Sequence, residues 1–213
     1  MPSVIPRPFV ARVDALLRAG RRVVLGLAGA PGAGKSTLAQ ALQALAPRDA
    51  VVVPMDGFHL AQAELERLGL AARKGAPDTF DSAGYVALLE RLRAPRDGET
   101  VYAPSFRREL EEPVAGAIAV PPQVKLIITE GNYLLLPQGH WARVAALLDE
   151  AWFVEVDDAL RRQRLLQRHQ AHGRSRADAL AWIAHTDEPN ARLIAATRDV
   201  AHAVLRRDEA AAR

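Results

Sequence analysis

Eight consecutive residues, Gly29-Ala30-Pro31-Gly32-Ala33-Gly34-Lys35-Ser36, set three glycines, a lysine and a hydroxyl at a spacing suited to holding an anion. Glycine permits the backbone turns that aim successive N–H groups at one cluster of oxygens, and a helix starting at the end of the run adds its positive N-terminal end. The pattern G-x-x-x-x-G-K-[ST] therefore reads as a phosphate cradle running from Gly29 to Thr37, with Lys35 reaching the β and γ phosphates of ATP. Ser36 is expected to offer a hydroxyl to Mg2+, a hard cation that prefers oxygen ligands, and Thr37 to touch the α-phosphate. The guanine-reading pattern N-K-x-D is absent.

Kinases, GTPases, helicases and transporters all use such a cradle, so the reaction must be read from other side chains. Asp56 in MDGFHL directly follows the run VVVP, which puts a carboxylate at a strand's carboxyl end beside the cradle. There it can orient an alcohol and take its proton as a phosphoryl group transfers, or it is a turn aspartate before Gly57. His59 joins it as a candidate substrate contact. Glu130 ends LIITE and reads as a carboxylate near the magnesium water shell or as a solvated loop glutamate. In PDTFD, Asp81 reads as a helix N-cap, and Asp78 as a binder of acceptor hydroxyls or a turn residue. Arg161, Arg164 and Arg168 recur at helical spacing, so their guanidinium groups can converge on phosphate oxygens, as those of a mobile lid would; a solvated basic face has the same spacing. Arg162 points elsewhere. His169 and His172 have no carboxylate cluster nearby and read as surface residues.

These side chains need a scaffold. VVLGLAG, VVVP, VKLIIT, AWFVEV and AHAVL are five short apolar runs alternating with helical patterns, which predicts an open, mostly parallel α/β sheet with ligands beyond the strands' carboxyl ends. An N-terminal helix within 1–20 carries Phe9, Val13, Leu16 and Leu17 on one face and is expected to cover a sheet edge. Residues 99–120 change to short extended pieces, a small β excursion. Residues 158–190 are helical and rich in arginine, the second helix ending near Pro189.

Composition narrows the class. The chain has 213 residues, 49% hydrophobic and 25% charged, so a buried core is expected and one domain over 1–213 is the simplest organisation. Without cysteine, disulfides and thiolate chemistry are excluded. No apolar run approaches the roughly 18 residues of a membrane span and the N-terminus shows no signal core, so a cytoplasmic protein without membrane partners is expected. The net charge of +3 argues against nucleic acid as a partner. A homodimer through the hairpin or the N-terminal helix stays open.

Taken in order, GAPGAGKST, MDGFHL, PDTFD, ITEGNYLLL and the arginine helix resemble the uridine kinase, phosphoribulokinase and bacterial pantothenate kinase superfamily from about Arg22 to Leu205. Within it the chain looks most like bacterial proteins labelled nucleoside/nucleotide kinase or fructose transport system kinase. The resemblance implies a P-loop NTPase fold of three α/β/α layers with an arginine-bearing helical lid. It makes Asp56 the base, Asp78 a contact to acceptor hydroxyls, and Arg161, Arg164 and Arg168 the lid arginines. The implied reaction is transfer of the γ-phosphoryl group of ATP, with Mg2+, to a hydroxyl of a nucleoside-, sugar- or pantothenate-like metabolite; the alternative is a regulatory NTPase that hydrolyses ATP without a small acceptor. Phe106 and Tyr102 are taken as walls of the acceptor pocket, with Arg108 beside them, and Asn190 as reaching into the adenine or the acceptor site. One departure is Arg107 after YAPSF, where relatives carry an aspartate, so the acceptor pocket is expected to differ. The histidine and tyrosine constellation that surrounds the base in uridine kinases is not recognisable.

Overall fold

A strand buried on both faces has no need of polar alternation, and β1 (Val23–Ala28) and β5 (Leu126–Gly131) are buried at every position. The structure, a computed structural model, describes residues 5–207. β1 pairs in parallel with β5 on one side and β6 (Glu150–Glu155) on the other. With β2 (Ala50–Pro54) and β7 (Ala203–Arg206) the main sheet runs β2-β5-β1-β6-β7. All its pairings are parallel, so every connection crosses a face of the sheet. One face is covered by α1 (Arg7–Leu17) and α2 (Lys35–Leu45), which bury Val13, Leu38 and Leu42 against Leu25, Leu27 and Trp152. On the other lie α4 (Ser82–Arg93) and α7 (Glu188–Ala195), bringing Leu89, Leu92 and Ile194 onto Val24, Ile127 and Phe153. This is a three-layer α/β/α arrangement. The N-terminal helix lies over a face rather than an edge, because Phe9 meets the ring of Trp152, on the interior strand β6, edge-on at 4.8 Å.

The remaining strands, β3 (Val101–Arg107) and β4 (Glu112–Val120), form a separate antiparallel hairpin where the excursion was expected. It lies close against the segment after β2. A Cβ built on Gly57 would stand 2.5 Å from the Pro104 carbonyl oxygen, so only glycine admits β3 this near. Between hairpin and cleft runs α3 (Gln62–Arg67). On the arginine-rich side, α5 (Asp158–Ala171) is capped by Asp157, whose carboxylate accepts from the N–H groups of Ala159 and Leu160. α6 (Arg176–Trp182) does not end near Pro189 as expected. It passes through a π turn at Ile183–Asp187 into α7, and Pro189 occupies the first turn of α7, where a missing N–H costs nothing. No helix among the described residues is long and apolar enough to cross a membrane.

Candidate active site

The cradle forms at the carboxyl end of β1, the central strand. Gly32 and Gly34 adopt φ angles of +83° and +87°, and Gly34 caps α2. At Gly32 an added Cβ would lie 2.9 Å from the Arg161 carbonyl oxygen, so glycine there also lets α5 close down on the loop. Lys35 is buried, and its Nζ donates to the carbonyls of Gly29 (2.8 Å) and Ala30 (3.1 Å) and to Asn132 Oδ1 (2.7 Å). Burial lowers its pKa to about 8, with the charges of Glu130 and Asp56 acting in the opposite direction. Ser36 Oγ donates to Glu130 Oε1 at 2.8 Å. Burial, then the nearby Asp56 carboxylate, raises the Glu130 pKa.

In front of the cradle opens a cleft of about 850 Å³, lined on the cradle side by Pro31, Gly32, Gly34, Lys35, Ser36 and Thr37. Asp56 enters it from the short 3₁₀ turn Met55–Phe58 that follows β2, and Glu130 from the end of β5. The sheet order thus brings the carboxyl ends of three strands to one opening. His59 is held beside Asp56, its Nδ1–H donating to the Asp56 carbonyl at 2.8 Å. Its ring sits between Phe80 (4.0 Å) and Phe106 (4.8 Å). Burial lowers its pKa; the Lys74 and Arg108 charges act in the same direction. Arg108 Nη2 stands 3.7 Å from Asp56 Oδ2. Arg164 and Arg168 reach the cleft from α5, and Asn190 from α7, its Nδ2 donating to the Gly75 carbonyl at 3.4 Å.

Three expected site residues lie elsewhere. Arg161 is buried beneath α5, donating through Nε to Asp158 at 2.9 Å and through Nη2 to Glu188 at 2.5 Å, which ties α5 to the start of α7. Seven positions at 100° per residue return to within about 20° of the same face, so Arg161 and Arg168 share a side of α5 but stand two turns, about 10 Å, apart along it, and only the first turns pack against Glu188. Asp78 stays outside the cleft, paired with Arg73 at 3.0 Å. Tyr102 is 58% exposed on the outer face of the hairpin, while Phe106, four residues on, faces in. Asp81 caps α4 as expected, accepting from Gly84 N at 2.8 Å. Arg107 pairs with Glu109 on the surface, and the cleft receives Arg108 instead. His169 and His172 both line the cleft; His172 is exposed, as expected, while His169 is half-buried with its Nε2 2.8 Å from Asp187 Oδ2.

Several lining residues were not foreseen, among them Gln62, Lys74, Asn132, Arg174 and Trp182. Only Asn132 had a signal, two residues after Glu130 in a segment already singled out.

A family model described as Phosphoribulokinase / Uridine kinase family matches residues 24–211. A Schizosaccharomyces pombe protein provisionally named a uridine kinase is 36% identical over 171 residues, covering 76% of this chain and 72% of its own. A pantothenate kinase of Leifsonia xyli is 34% identical over 216 residues, covering 87% of this chain and 66% of that protein. Among solved structures, a protein of Silicibacter sp. TM1040 provisionally named a fructose transport system kinase superposes with a TM-score of 0.85 at 38% identity, covering 95% of this chain and 100% of the other.

Proposed function

The chain belongs to the phosphoribulokinase / uridine kinase family, and we propose that it transfers the γ-phosphoryl group of ATP to a hydroxyl of a nucleoside-, sugar- or pantothenate-like metabolite. The observation that carries this reading is the meeting of Asp56, Lys35 and the Ser36–Glu130 pair in one cleft. An ATP-driven switch needs the last two but has no use for a carboxylate facing an open acceptor space.

Ser36 Oγ and the Glu130 carboxylate are hard oxygen donors already 2.8 Å apart, a set that fits Mg2+ with phosphate and water completing its shell. When bound, that ion neutralises charge on the β and γ phosphates. Lys35 and the loop amides add fixed positive charge, and Arg164 and Arg168 supply more from α5. Asp56 hydrogen-bonds the acceptor hydroxyl and accepts its proton as the oxygen attacks phosphorus.

ATP consumption with magnesium, measured against a panel of nucleosides, pantothenate, sugars and sugar phosphates with a no-acceptor control, tests the reading. One acceptor class should stimulate turnover, and Asp56→Asn should retain ATP binding while kcat falls roughly 10²–10⁴-fold. Hydrolysis that no acceptor changes would replace the kinase reading with that of a regulatory NTPase.

A further inference from the structure

The far wall of the cleft carries more positive charge than the cradle's task explains. Lys74 Nζ donates to two neutral oxygens, Gln62 Oε1 at 3.3 Å and the Glu111 carbonyl at 2.7 Å, and lies 5.6 Å from the centre of the Phe106 ring. An ammonium has three donors, so these contacts fix the head group, leave one proton to give, and bring no carboxylate against the charge. Glu112 braces the same wall by accepting from Gln62 N at 3.0 Å, which binds α3 to the hairpin.

Arg108 faces the Asp56 carboxylate at 3.7 Å, an ion pair too long for a hydrogen bond, and among the described residues no side-chain hydrogen bond occupies its guanidinium donors. Burial, then the Arg108 charge, disfavours the charged form of Arg168, and at His59 the Lys74 and Arg108 charges add to the effect of burial against the opposing Asp56 carboxylate. Cations gathered around an open space in this way are relieved by an anion placed among them.

We propose that the phosphoryl acceptor is itself an anion, a hydroxyl compound whose carboxylate or phosphate group is held by Lys74 and Arg108 while its hydroxyl meets Asp56. The proposal rests on the kinase reading above. In the transfer, the acceptor oxygen forms a bond to the γ-phosphorus and the bond from that phosphorus to the β,γ-bridging oxygen breaks. The electron pair leaves with ADP, and the hydroxyl proton passes to the Asp56 carboxylate.

Matched acceptor pairs that differ in charge provide the test: ribose 5-phosphate against ribose, glycerate against glycerol, and pantothenate against pantothenyl alcohol. In at least one pair the charged member should exceed the neutral one in kcat/KM by roughly 10–100-fold, the worth of a charge-assisted hydrogen bond, and the pair that responds separates phosphate from carboxylate. Lys74→Met and Arg108→Met should each raise KM for that acceptor about tenfold with a smaller change in kcat, and Lys74→Arg should recover most of it, since the anionic group binds away from the reacting atoms. Titration calorimetry of each pair onto protein loaded with a non-hydrolysable ATP analogue reads the same preference without turnover. Equal or better use of the neutral members, with both variants unchanged, overturns the anionic acceptor and leaves the kinase reading in place. ATP hydrolysis indifferent to every acceptor overturns both.

Discussion

A lysine ammonium that donates all its protons to neutral oxygens is held as a cation by those bonds, while burial favours the neutral amine. Lys35 is in this position, with Gly29, Ala30 and Asn132 as acceptors and a pKa lowered to about 8 from 10.5. Because the folded pKa is the lower one, between about 8 and 10.5 the unfolded chain binds the proton more tightly, and this residue's contribution to stability becomes less unfavourable as pH rises through that window. Phosphate binding acts in the opposite sense, since an anion beside Nζ favours the charged form. ATP should therefore bind with proton uptake at pH 9, and its affinity should fall as pH rises above about 8. Calorimetry in two buffers of different ionisation enthalpy measures the uptake directly; binding without uptake would mean that the phosphates do not meet Lys35.

At the scale of elements, α5 separates a structural arginine from those that face the cleft. The buried Arg161 joins α5 to Glu188 at the start of α7, whereas Arg164 and Arg168 look into the opening. Arg161→Met should cost about 2 kcal/mol, the loss of hydrogen bonds to charged partners, and lower Tm by several degrees without changing KM for ATP. Arg168→Met should do the reverse, and a melt beside a KM determination separates the two. The strands were legible because runs such as VVLGLA and LIITEG are buried throughout and need no partner in sequence to be recognised. So was the cradle, whose chemistry is contiguous. Helical spacing could not say which arginine α5 buries, because that depends on Glu188, which lies 27 positions away. Asp78 and Tyr102 were misplaced for a related reason: a short motif gives the type of a side chain but not which way its turn or strand faces. Lys74 carried no signal at all, since Gln62 and Glu111 position it only once α3 and the hairpin have met. Pro189 looked like a stop because proline is usually excluded from helix interiors, and the π turn resets the helix so that it falls in a first turn.

Across the whole molecule the cleft has two walls of different origin. The main sheet and α5 build the cradle side, while the hairpin, α3 and the aromatic residues around His59 build the side facing Asp56. A division of this kind lets one nucleotide site serve different acceptors, because the hairpin can change without disturbing the central strands. The two walls meet at Gly57, where the 3₁₀ turn carrying Asp56 passes under Pro104 of β3. A methyl group there would sit 2.5 Å from the Pro104 carbonyl oxygen, and since both partners are backbone the clash can be relieved only by moving the hairpin or the turn. Gly57→Ala should therefore cost roughly 1–3 kcal/mol, as overpacking does, and raise KM for the acceptor more than KM for ATP, because the clash falls between the hairpin and the turn that carries Asp56. Thermal melts establish the first effect and a two-substrate kinetic series the second. If both KM values rose equally, the walls would be mechanically coupled and the hairpin would be part of the nucleotide site; if neither rose, it would not form the acceptor wall.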